Sequence, residues 1–295
     1  MTRLLTRAAL DSRRYPQTAL DTLFEAILVD DDVDERTELP AHITLDHDAA
    51  LLTECYRISR QLWTEADHRP LLIALVESLR REGNLDAEER RVFKHARAKL
   101  KHLRFASVLF DARHVYPPVM NMITVALGQL QDAYRTGDRA RVARKALQCQ
   151  LLLSPLPQAL LRREHDRFRP TDGAGFRAYV GRGIDSLEAM LARPAVTGSD
   201  FHAGRKVASR LVGFYNSLLA IRPSLEAHRM ARSLAAINGL MGGEHDLLVE
   251  RRVAGVQDYH HTLFALPPDI RDRIAALIDR YRASGLLATA DQRVR

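Results

Sequence analysis

Apolar residues in this chain recur at intervals of three and four almost from end to end, the period that buries one face of an α-helix. β-Branched residues are scattered and aromatic residues reach only 6%, so the material for strands is thin and the chain reads as all-α. The spacing predicts helices near 15–30, 46–65, 70–82, 86–114, 118–135, 138–153, 156–167, 174–193, 200–222, 225–241, 244–264 and 267–284. Breaks fall at DDDVDERTELP (30–40), REGNLD (81–86), Pro117-Pro118, RPTDGAG (169–175), RPAVTGSD (193–200), Arg222-Pro223 and Gly242-Gly243. Asn84 or Asp86 is placed to cap one long helix, and Ser199 or Asp200 another.

Composition adds little until charge is followed along the chain. With 295 residues, 46% hydrophobic and 27% charged, the chain can bury a substantial core in one large domain or two small ones. The net charge of +7 conceals an uneven layout: residues 1–92 hold 12 basic and 19 acidic side chains, whereas residues 93–170 hold 15 and 5. Cys55 and Cys149 stand far apart without metal-ligand spacing, so neither a disulfide framework nor a zinc site is indicated. MTRLLTRAALDSRR lacks the apolar core of a secretory signal, and no later run approaches a membrane span. The expectation is a cytoplasmic protein.

The basic excess begins in FKHARAKLKHLRF (93–105), where Lys94, Arg97, Lys101 and Arg104 follow one another at three, four and three. At about 100° per residue they share an arc of roughly 80°, next to the apolar stripe of Phe93, Ala96, Leu100, Leu103, Ser107 and Phe110. His95, Lys99 and His102 point to the far side, where a solvated face would more comfortably lie. The stripe reads either as a solvated face with partners elsewhere or as an anion site in a groove between helices.

A second copy of the pattern lies about 108 residues on, in DFHAGRKVASRL (200–211). Phe93, Lys94 and Arg97 align with Phe201, His202 and Arg205, and each copy runs through a second helix to a glycine followed by an aspartate: LGQLQD (127–132) and MGGEHD (241–246). A duplicated helical hairpin accounts for this most simply. Asp132 and Asp246 read as N-caps or orienters of a basic neighbour, and Gly128 and Gly242 as close-packing or turn positions.

These residues carry a resemblance. FHAGRKVASRLVGFYNSLLAIRPS with LAAINGLMGGEHDLLVE resembles the C-terminal half of CHAD domains, the conserved-histidine α-helical family, whose pattern runs H-x-x-R-x-x-x-K-R-L-R-Y and then L-G-x-x-x-D. Arg97, Lys101, His102, Leu103, Arg104 and Phe105, with Leu127, Gly128 and Asp132, look like the same unit in the first copy. The resemblance implies two four-helix-bundle-like halves with pseudo-twofold symmetry, at about 46–168 and 174–285 within a domain of 46–290, after an acidic N-terminal extension of 1–45. It further implies non-catalytic binding of inorganic polyphosphate, without a cofactor, by Lys94, Arg97, Lys101, Arg104, His202, Arg205, Lys206 and Arg210. A polymer with a charge on each phosphate rewards rows of Lys and Arg, and guanidinium matches phosphate oxygens two at a time. The copies depart from the pattern where Lys94 replaces the histidine, and where Ser209, Val212 and Gly213 replace the lysine, arginine and aromatic.

Other readings remain beside it. LVESLRREGNLDAEERRVFKHARAKL looks like the helix-loop-acidic-helix element of TerB-like domains, through Gly83, Asp86 and Glu89. A helical scaffold would meet a protein partner through its acidic N-terminal part. Nucleic-acid binding has the charge but lacks interleaved aromatics, Trp63 being the only tryptophan. Arg139, Arg141, Arg144 and Lys145, with Arg162, Arg163, Arg167 and Arg169, read as solvated faces or a wider basic surface. Glu65-x-x-His68 is half of a di-iron motif without the carboxylates that chemistry needs. No phosphate loop or nucleophilic triad emerges.

Overall fold

The periodic segments form helices wherever the backbone finds a cap to start on and a local contact to stop at. A computed structural model describes residues 13–66 and 68–285. Among these residues there are eleven helices and no strand, and the only β-type pairings are isolated bridges at Asp111 with Pro170 and Val196 with Phe264. The helices are α1 (Gln17–Leu28), α2 (Ala49–Thr64), α3 (His68–Glu82), α4 (Ala87–Phe110), α5 (Pro118–Arg135), α6 (Arg139–Leu152), α7 (Pro155–Asp166), α8 (Gly173–Leu191), α9 (Gly198–Ile221), α10 (Leu225–Val253) and α11 (Pro268–Ala283). The protein is therefore all-α. No described helix is long and apolar enough to cross a membrane.

The chain divides into two compact units, one of residues 13–27 and 53–171, the other of 28–52 and 172–285. The described part of the stretch 1–45 is thus shared between them rather than gathered in one place. In the first unit α3, α4, α5 and α6 pack in a closed circuit, each on the next and α6 back on α3, with α7 against α5 and α6. Asp86 opens α4 with a capping box: its carboxylate accepts from Glu89 N, and the Glu89 carboxylate accepts from Asp86 N. α4 stops at Phe110 because Asp111 turns extended and its buried carboxylate accepts from Arg113 and from Arg169 N. α5 begins at Pro118 with no side-chain cap of its own. The Glu164 carboxylate, from α7, accepts from the Val119 and Met120 N–H groups of its first turn at 2.7 and 3.0 Å.

The second unit repeats the circuit with α8, α9, α10 and α11. Its core gathers Phe176, Phe214 and the His47 ring, and residues 28–48 are tied to it where Asn238 donates to Asp30 O and Arg280 to Ala41 O. Two sequence expectations change here. Thr197, not Ser199 or Asp200, is the N-cap of α9, and Asp200 is the third helical residue that completes the capping box. The helix expected to break at Gly242-Gly243 runs through both glycines to Val253, and residues 254–264, expected to be helical, turn at Gly255 (φ +70°) into a loop. Interior glycine costs a helix about 1 kcal/mol, which the packing of α10 on α9 outweighs.

Candidate anion-binding site

In the first unit the basic stripe lies along the seam of α4 with α5. The two helices run antiparallel in a fixed register: Arg97 lies over Gly128 and, seven residues forward on one and seven back on the other, Arg104 meets Asn121. A Cβ at residue 128 would come within 2.9 Å of Arg97 Nη2, so the guanidinium spreads over bare helix backbone. Arg104 Nη1 donates to Asn121 Oδ1 at 3.0 Å, and its guanidinium lies 4.8 Å from the Tyr116 ring centre and 5.1 Å from that of Phe105. Lys101 Nζ is 5.8 Å from the Phe105 ring centre. Arg97, Lys101 and Arg104 are half-buried beside the core, as their spacing predicts, and Lys94 is exposed at the open end.

The far side of α4 is not the solvated face the spacing suggested. His102 is buried, its Nε2 3.1 Å from Ser59 Oγ, and burial pushes its pKa down to about 3. Ser59 donates its hydroxyl to Cys55 O, so the neutral His102 supplies the N–H of that contact. Lys99 Nζ sits 4.3 Å from the Phe24 ring centre, and His95 meets the same ring edge-on. α1, which brings Phe24, covers a face that a helical wheel of α4 alone leaves open.

The second unit has a matching seam between α9 and α10. Arg205 lies over Gly242, where a Cβ would come within 3.0 Å of Nη2. One turn away on both helices His202 stacks on His245, ring centres 4.6 Å apart and planes 29° apart; one turn the other way Ser209 Oγ donates to Asn238 Oδ1 at 2.6 Å. By this register Lys94 and Gln131 hold, in the first unit, the places of His202 and His245. Lys206 is exposed, while Arg210 turns toward α8, with its guanidinium 5.7 Å from the Tyr179 ring centre. The structure thus brings His202 and Arg205 together and sets Arg210 apart.

Three members of this second cluster, His245, Tyr259 and Arg252, were not among the anion-binding candidates that the sequence offered. His245 and Tyr259 meet edge-on at 5.8 Å, and the Arg252 guanidinium lies 5.9 Å from the Tyr259 ring centre. Tyr259 comes from the loop taken for helix, so no wheel could place it. His245 was readable: it stands three residues beyond Gly242, as His202 stands three before Arg205. Asp132 and Asp246 cap nothing, since both lie inside helices; Asp246 Oδ1 is 3.7 Å from His245 Nδ1, an orienting distance.

Several other sequence candidates serve the fold locally. Gly83 turns between α3 and α4 at φ +79°, and Asp86 and Glu89 serve each other in the capping box. Asp86 and Glu89 line an open cleft of about 630 Å³ with Leu71, Leu75 and Glu82, and none of Lys94, Arg97, Lys101 and Arg104 lines it. Arg139 donates to Glu82 O, and the His68 ring lies tilted against Trp63, ring centres 5.0 Å apart. Among the described residues no group of three or more His, Cys, Asp or Glu could hold a metal ion. Comparison with protein-family models, with curated proteins and with solved structures gives no match to this chain.

Proposed function

We propose that this is a non-enzymatic binding protein for inorganic polyphosphate or a comparable polyanion, of the CHAD type that its sequence resembles, with a cationic seam in each unit. The observation that carries the reading is the arginine laid over a helical glycine, Arg97 on Gly128 and again Arg205 on Gly242. Glycine in mid-helix costs stability, and here it leaves room for a guanidinium whose edge stays at the seam. The repeated closed circuit of four helices, with the same register between its second and third members, supports descent from a duplicated hairpin. Among the described residues no ion pair involves Lys94 or Arg205, so no carboxylate of that set competes there with an incoming phosphate.

Long-chain polyphosphate titrated into the protein at about 0.1 M salt should bind, and Arg97→Glu/Lys101→Glu should weaken it by at least about tenfold. Unchanged affinity in that double variant would reject the seam as the site. Competition by duplex and single-stranded DNA separates this reading from nucleic-acid binding.

A second reading, a scaffold for a protein partner, is favoured by one feature of the first unit. Leu147 and Leu151 on α6 and Leu156 and Leu160 on α7 are exposed in pairs four residues apart, on helices that pack together. A stoichiometric partner lost in Leu151→Glu/Leu156→Glu, with no polyanion binding by the intact protein, would establish it instead.

A further inference from the structure

We propose that the His202–His245 stack of the second unit is a subsite for one phosphate group and that filling it takes up a proton; the proposal rests on the polyanion reading above.

The two imidazoles come from different helices and face each other at 4.6 Å, one turn from the guanidinium of Arg205. Arg205 Nε is buried with no hydrogen-bond partner among the described residues, a donor set aside at the seam. Tyr259 closes one edge against His245, and Arg252 lies behind that ring.

Two stacked imidazolium ions at this separation repel, and Arg205, Lys206 and Arg252 deepen the positive field around them. Asp246, 3.7 Å from His245 Nδ1, and its helix neighbour Glu244 oppose that field in part and mark His245 as the ring that gains the proton. His260, the remaining imidazole near Tyr259, is engaged with Ser199 at 2.7 Å. A phosphate at the stack supplies the missing negative charge, and the bound state then holds a proton that the empty state gives up. In the first unit Lys94 and Gln131 hold the matching places and offer no imidazole. The coupling therefore belongs to the second unit alone.

The test is calorimetric titration of the full chain with tripolyphosphate at about pH 6 and about pH 8, in buffers of different protonation heat. Wild type should take up a proton on binding and lose affinity as pH rises, by at most about tenfold per pH unit for one coupled proton. His245→Phe keeps a stacking ring and should abolish the uptake relative to wild type, a difference that cancels the ligand's own protonation. Asp246→Asn, a change at an exposed side chain, should move the loss of affinity to lower pH. Binding with the same proton uptake in His245→Phe and in His202→Phe overturns the subsite and leaves the polyanion reading standing. Binding of neither tripolyphosphate nor long-chain polyphosphate by wild type at any pH overturns both.

Discussion

The guanidinium of Arg97 occupies the space that a side chain at residue 128 would fill, since a Cβ there would come within 2.9 Å of Nη2. The atom displaced is the far end of a flexible side chain, so Gly128→Ala moves the arginine rather than the helices. Alanine also propagates a helix better than glycine by about 1 kcal/mol. The expected outcome is a variant at least as stable as wild type in urea, with polyphosphate affinity several-fold lower. Reduced stability with unchanged affinity would show the glycine to be a packing residue only.

Gly239 and Gly243 lie four residues apart on the same helix and make opposite predictions. A Cβ at Gly239 would stand 2.1 Å from Asp31 O, a backbone atom held in place by the neighbouring Asn238 bond to Asp30 O. Gly239→Ala should therefore destabilise the second unit by about 2 kcal/mol or more. Nothing lies within 4 Å of a Cβ at Gly243, so Gly243→Ala should raise stability by about 0.5–1 kcal/mol. Urea midpoints of the two variants check both signs.

Gly242-Gly243 also shows what a sequence can and cannot disclose. The helical period, the turn at REGNLD and the placement of Lys94, Arg97, Lys101 and Arg104 beside the core are local properties, written in spacing alone. Whether two glycines end a helix is not local: α10 continues because α9 lies against it and Arg205 spans the gap. His102 was assigned to the solvated side for the same reason, since its burial depends on Ser59 more than forty residues away. Tyr259 joined the second cluster only through a loop whose path is set by the bridge of Val196 with Phe264 and by contact with Gly198.

Two buried histidines of the first unit make the fold sensitive to acid. His102 and His165 are both pushed down to about 3 by burial, with the Lys101 and Arg60 charges adding to each in turn. Their folded values lie below the unfolded value of about 6.5, so in that interval the unfolded chain binds more protons than the native one. Stability is then full above about pH 6.5 and falls as pH drops toward 3, each imidazole contributing up to about 1.4 kcal/mol per pH unit. Urea unfolding followed from about pH 7 to about pH 4 should show this slope, and His102→Gln should remove about one proton's share of it.

Salt separates a built seam from general attraction between a chain of net charge +7 and any polyanion. Each guanidinium that meets a phosphate displaces about one condensed counterion, so log affinity falls linearly with log salt, and the slope counts the contacts. Arg97→Gln removes one contact at the α4–α5 seam and should make the slope shallower by about one, with the loss of affinity largest at low salt. Arg163→Gln, an equal change of charge at an exposed position on α7, alters the net charge identically but should leave the slope as in wild type. Equal effects of the two substitutions on the slope would mean that the polymer reads only the total charge of the protein, and the register that sets Arg97 over Gly128 would then serve packing alone.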